Sequence, residues 1–247
     1  DAPVEKIAES IYEIRLKRGI RYQPHPAFAT DATGKPVYAD LDREKLKGIE
    51  RIADFRETGT RELLADDYIY EIKRLAHPRL HSPIFGMMAE HIVGLKELGS
   101  ALQLAARSLP REGWLDLEAF PLSGVSKVDE HTLRVRLKGK YPQFLYWLAL
   151  PFFAPVPREV DRFYNQPGMA EKNLTLDWYP VGTGPYMLVE NNPNSRMVLV
   201  KNPNFRGESY PCEGEAIDRD TGLLDDCGNT LPFIERAVFS REKEAIL

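Results

Sequence analysis

Residues 179–207 read YPVGTGPYMLVENNPNSRMVLVKNPNFRG, two short apolar runs set between clusters of turn-forming residues. Gly182 and Gly184 frame Thr183 and are followed by Pro185, which calls for a tight turn before an extended run opening at Tyr186. Met187–Val189 and Met197–Val200 flank Asn191, Asn192, Pro193 and Asn194, residue types that tolerate left-handed or proline-fixed backbone. The pattern predicts a β-hairpin whose second strand ends at Asn202, Pro203 and Asn204. A dinucleotide fingerprint is the rival reading of Gly182 to Met187, but it requires a third glycine at 187 opening a helix. Position 187 is Met, and a strand-like run follows it.

The rest of the composition narrows the class. With 247 residues, 43% hydrophobic and 28% charged, the chain can bury a sizeable core in one large or two small domains. A formal net charge of -4 excludes the basic excess expected of a nucleic-acid or anionic-membrane binder. No apolar run approaches the roughly 18 to 20 residues a membrane span needs, and DAPVEKIAES lacks the pattern of an export leader, so direct membrane insertion of this chain is not expected. Cys212 and Cys227 lie in a polar stretch, 205–231. Two readings stay open: a disulfide in an oxidising compartment, closing a loop of about 15 residues, or two separate thiols.

Along the chain, 10–16 predicts a strand carrying Ile11, Ile14 and Leu16. Residues 22–64 look like an excursion from the main fold, with a helix expected where Leu46, Ile49 and Ile52 recur at helical spacing. Asp66 is the expected N-cap of a helix bearing Tyr68, Ile69, Ile72 and Leu75 and stopped by Pro78. Ser82 and Pro83 open a second helix, whose apolar side is Ile84, Met87, Met88, His91, Ile92 and Leu95. GVSKVDEHTLRVRLK, 124–138, predicts two strands with Leu133, Val135 and Leu137 on one face and Arg134, Arg136 and Lys138 on the other. Residues 141–157 predict a short aromatic helix running into an extended turn, Arg158 to Tyr164 a further helix, and 237–240 a strand.

The order P-x-G-T-G-P-Y, strand, polar turn, strand, then K-N-P-N-F-R-G resembles the family 5 extracellular solute-binding proteins, the peptide and oligopeptide receptors of bacterial ABC importers. YEIRLKRGIRY, LLADDYIYEIKRLAHP and SKVDEHTLRVRLKGKYPQFLYWLA resemble further family segments, in the family's order. The resemblance implies an α/β fold, a type II periplasmic binding protein lobe with a mixed sheet and flanking helices. It makes residues 1–247 part of lobe I of a two-lobed receptor, with the second lobe missing and 22–64 an insertion where the family has a short loop. It implies capture of a peptide between two lobes in the periplasm, with a membrane permease as the second partner, no cofactor and no turnover. Other solutes, such as a nickel complex, haem or a sugar, and a protein-interaction or sensing role for the lobe, are the alternatives.

Within this chain the candidate ligand-contacting residues are the aromatics Tyr146, Trp147, Phe152 and Phe153, with Tyr186 beside them, because rigid rings cover a ligand at little entropic cost. Core packing is the competing role for each. Gly182, Thr183, Gly184, Pro185 and Tyr186 are the family motif. No catalytic residue is assigned: the chain has no G-x-S-x-G elbow, no phosphate-binding G-x-x-x-x-G-K-S/T loop and no Cys beside a His. No metal site is assigned either. His77 and His81 are separated by Pro78, His25 sits between prolines, His91 lacks an H-E-x-x-H context, and Asp218, Asp220, Asp225 and Asp226 lack calcium-loop spacing.

Overall fold

Strand β1 (Glu9–Arg15) pairs antiparallel along its whole length with β3 (Thr132–Lys138), from Glu9 opposite Lys138 to Arg15 opposite Thr132. On its other side β3 pairs with β2 (Val125–Asp129), giving a three-stranded sheet in the order β1-β3-β2. The computed structural model describes residues 9–110 and 113–241. Leu133, Val135 and Leu137 are buried as their alternation predicts, while Arg134 and Arg136 reach across the outer face to Glu13 and Glu9. In β1 the phase differs from the expectation. Tyr12 and Ile14 face the core with Leu16 just beyond, and Ile11 is 61% exposed, because a period of two puts it among the charged residues.

Helix α1 (Ala65–Arg74) packs on this sheet. Asp66 is not its cap. Asp67, one residue later, accepts the Leu64 N–H at 3.0 Å, whereas Asp66 points outward to Lys127. A carboxylate at the third helical position can satisfy the capping N–H by reaching back, and it also suits the positive end of the helix. Helix α2 (Phe85–His91) and α3 (Leu95–Ser108) replace the single second helix expected from the apolar spacing. Ile92 leaves the helix to bridge Leu137 at the sheet, and the Val93 N–H donates to the Arg136 carbonyl at 3.1 Å. Gly94 then turns at φ +80°, where a Cβ would meet Ser123 Oγ at 2.4 Å. Helix α4 (Phe144–Leu148) and a 3-10 turn (Pro151–Phe153) close this first core with Phe144 and Phe153.

Residues 22–64 form no α-helix. Gly48, at φ +79°, breaks the turns carrying Leu46 and Ile49, and only Ile52–Asp54 continues, as a 3-10 turn. The ends of the segment are zipped together: the Tyr22 N–H donates to the Arg61 carbonyl, His25 and Gly59 exchange backbone bonds, and Thr60 Oγ1 donates to the Tyr22 carbonyl. Its interior is far from peripheral. Tyr22, Phe28, Leu41, Leu46, Phe55 and Leu63 form a second core with Val160, Phe163 and Tyr164 of α5 (Arg158–Tyr164) and with Met169, Leu174, Tyr179 and Val181.

The hairpin predicted at 179–207 is β4 (Tyr186–Asn192) and β5 (Arg196–Lys201), with a bulge between Leu188 and Glu190. Strand β6 (Glu208–Ser209) precedes helix α6 (Ala216–Asp220) and pairs with β7 (Thr230–Leu231), and Cys212 and Cys227 are joined in a disulfide between those strands. The last described strand, β8 (Arg236–Ser240), adds to β5 in the order β4-β5-β8. The mixed sheet expected of the lobe is not assembled among the described residues: the strands form three separate sheets, each wholly antiparallel. Parallel neighbours need a crossover of a dozen or more residues on one sheet, whereas β2-β3 and β4-β5 are joined by tight turns. Among the described residues no helix is long and apolar enough to cross a membrane.

Candidate functional site

The loop at 182–185 is held from both ends. Gln23 donates its backbone N–H to the Gly182 carbonyl at 2.9 Å and accepts the Gly182 N–H on its side-chain oxygen at 3.2 Å. At the other end the buried Asn202 donates Nδ2 to the Gly184 carbonyl and its backbone N–H to the Pro185 carbonyl, both at 2.9 Å. Because Tyr186 stands opposite Lys201 in the hairpin, Asn202 arrives beside Pro185. The distance in sequence between the G-T-G-P-Y and K-N-P-N-F ends of the motif is therefore a hairpin register. Asn204 extends the clamp by donating Nδ2 to the Tyr22 carbonyl at 2.8 Å.

Neither Gly182 nor Gly184 has positive φ, and a Cβ on Gly184 would meet nothing within 4 Å. The glycines thus leave a bare patch of backbone, and the turn does not depend on a left-handed conformation at either.

The candidate aromatics separate into different surroundings. Tyr146 is 78% exposed and Phe152 37% exposed, alongside exposed Leu145 and Leu150 in the same α4 segment. Trp147 is half-buried and donates Nε1–H to Tyr141 Oη at 2.8 Å; the Tyr141 ring stacks on His91 with centroids 3.7 Å apart. Phe153 is 1% exposed and packs edge-on to Phe144, a core role. Tyr186 lies in the other sheet, and its hydroxyl donates to the Ile234 carbonyl at 2.9 Å.

A buried hydrogen-bonded chain at His25 has no local signature among its neighbours in sequence. Its Nδ1 accepts the Ala27 N–H at 3.1 Å, so Nε2 carries the proton and donates to Tyr164 Oη at 2.8 Å; that hydroxyl donates in turn to the Tyr179 carbonyl at 2.8 Å. Burial pushes the ring down to about 3, which keeps it neutral. The remaining histidines do not converge. His77 Nδ1 accepts the Arg79 N–H, and burial holds its ring below the usual imidazole range. Among the described residues no three His, Cys, Asp or Glu side chains are grouped to hold a metal ion.

Four cavities among the described residues are lined in part by the 22–64 segment, and another lies between Arg79 and residues 164–171. One, of about 540 Å³, is lined by Tyr38, Ile49 and Phe55 together with Asp40, Lys45 and Glu57. A second of about 530 Å³ lies between Lys45, Trp114 and Arg162, and two others, of about 350 and 150 Å³, are lined in part by Arg79 and by Arg158. Another, about 230 Å³, is lined by Ile52, Phe55, Tyr179, Met187 and Leu188, beside the motif hairpin.

A family model for the bacterial extracellular solute-binding proteins, family 5 (middle region), matches residues 58–219, which include α1, the β2-β3 hairpin and the whole clamped motif. The chain belongs to this family. Its members are solute-binding receptors. The chain is 28% identical to the periplasmic oligopeptide-binding protein OppA of Salmonella typhimurium over 206 residues, 82% of this chain and 32% of that one. It is 35% identical to the nickel-binding periplasmic protein of Escherichia coli over 102 residues, 40% of this chain and 17% of that one. The solved structure of the Escherichia coli murein tripeptide-binding protein MppA aligns with a TM-score of 0.44 at 21% identity, covering 79% of this chain and 27% of that one. This family 5 chain thus spans less than a third of the length of each of these proteins.

Proposed function

We propose that this chain is part of the first lobe of a receptor that captures short peptides in the periplasm for import by an ABC transporter. The observation that carries the reading is the extent of likeness: the oligopeptide-binding relative aligns over 82% of the chain, whereas the nickel-binding one aligns over 40%. The chemistry is compatible. Peptide backbones are alike in every sequence, so a receptor that bonds to main chain and leaves roomy, partly hydrated side-chain pockets accepts many peptides without turnover. In this reading the exposed Tyr146 and Phe152 form an aromatic ledge toward the ligand, Trp147 supports it from beneath, and Phe153 and Tyr186 are scaffold. Closure of a second lobe over the ledge would bury the ligand, and a membrane permease would receive it.

Purification of the complete receptor followed by mass spectrometry of its bound ligand tests this. A mixture of short peptides is expected. A tightly held nickel complex, haem or sugar, with no peptide binding by calorimetry, would overturn the assignment.

A further inference from the structure

The cavity of about 230 Å³ differs in kind from the four cavities described with it. Each of those has at least one Asp, Glu, Lys or Arg in its wall; this one has none. Its deep residues, Phe55 and Tyr179, are buried members of the second core, so the space is set by packed side chains. The His25 ring in its wall is neutral and has both nitrogens engaged, which leaves it no free donor for a polar guest. An apolar cavity of about 150 Å³ is enough to hold benzene, so this volume suits an aromatic or branched aliphatic side chain.

Its position adds the identity of the guest. Met187, Leu188 and Val189 supply one wall and belong to β4, which pairs only with β5 among the described residues and so has an outer edge without a strand. An extended chain laid along such an edge bonds through its backbone and directs alternate side chains to one side. We infer that this cavity is a subsite for one apolar side chain of a bound peptide, formed jointly by the motif hairpin and the 22–64 segment. The inference rests on the peptide-capture reading above.

The test uses small capped residues, followed by the Met187 methyl signal in methionine-labelled protein. N-acetylphenylalaninamide is expected to shift that signal saturably, with an affinity at least about tenfold above that of N-acetylalaninamide, as burial of the larger side chain implies. Ala53→Trp and Thr58→Trp, both at exposed wall positions, should fill the cavity and abolish the shift. The buried Met88 and Met169 methyls report whether each variant keeps its two cores, so a variant that disturbs them is set aside in favour of the other. Equal affinity for the two capped residues, or binding unchanged by a filled cavity, overturns the inference. Toluene binding as tightly as the capped phenylalanine would assign the cavity to free apolar molecules and overturn the peptide side chain. A non-peptide ligand in the complete receptor would remove the function proposed above, while the methyl titration would still report on the cavity separately.

Discussion

Asp67 grips Arg61 with both carboxylate oxygens, at 2.8 and 2.6 Å, while the same guanidinium reaches Glu159 on α5 and lies over the rings of Tyr22 and Phe28. One ion cluster thereby ties the closing end of the 22–64 segment to α1 of the first core and α5 of the second. Asp67 also accepts the Tyr22 hydroxyl and the Leu64 N–H. Asp67→Ala should therefore cost about 2–3 kcal/mol in urea unfolding, because it strands several donors at once in a partly buried place. A loss under about 1 kcal/mol would mean that the cluster is no more than a surface pair.

Glu71 and Asp161 share Arg74 in the seam between α1 and α5, with Arg74 Nη1 2.8 Å from Glu71 and Nε 3.2 Å from Asp161. Burial pushes Glu71 up to about 7, with the Asp161 charge adding to the rise and Arg74 opposing it. The folded protein then keeps a proton that the unfolded carboxyl releases near 4.5. The stabilisation is complete below that value and is lost as pH rises through 7, an effect of about 3 kcal/mol. Glu71→Gln should remove this slope and leave the variant more stable than the parent at pH 8. Parallel curves for the two proteins from pH 5 to pH 8 would rule the effect out.

The ring of His25 should stay neutral at pH 5, with Nε2 protonated and Nδ1 bare, as its hydrogen bonds require. Nitrogen-15 shifts of the ring read this directly, and a proton on Nδ1 would contradict the Ala27 bond. Since the folded ring titrates near 3 and the unfolded one near 6.5, the stability this group contributes is full above 6.5 and falls as pH drops toward 3. This slope is opposite in sign to that of Glu71, so the two are best separated by difference against Glu71→Gln.

Phe153 and Phe152 are adjacent in sequence, and their truncations should behave oppositely. Phe153→Ala empties a fully packed site and is expected to cost about 3–5 kcal/mol. Phe152→Ala and Tyr146→Ala should leave stability within about 0.5 kcal/mol and instead weaken peptide binding by the complete receptor. Unchanged affinity in both exposed variants would take the ledge out of the proposed cleft.

Elements set by local pattern were legible in the sequence. The β2-β3 and β4-β5 hairpins and α5 follow from alternation, turn residues and proline placement within a few neighbours. What escaped was set by distant partners or by one special backbone angle. Ile92 fits a helical stripe, and only Leu137, 45 residues away, draws it out to the sheet. Leu46, Ile49 and Ile52 have helical spacing, but Gly48 between them takes a left-handed angle. At the candidate site the motif itself could be read, while Gln23, which holds it, lies 159 residues from Gly182 and carries no local signature. Aromatic content marked the α4 segment without telling exposed Tyr146 from buried Phe153, because that depends on how the short helix and the 3-10 turn after it are set against the first core.

The pairing of β1 with β3 has a cost during synthesis. The ribosome completes Arg15 well over a hundred residues before Thr132, its partner in the ladder. At ordinary elongation rates that interval is on the order of ten seconds. For that time Tyr12, Ile14 and Leu16 have no sheet to join, and the nascent strand presents an apolar, unpaired edge that chaperones or other chains can engage. Strand β1 is thus secured only when a partner made well over a hundred residues later reaches it.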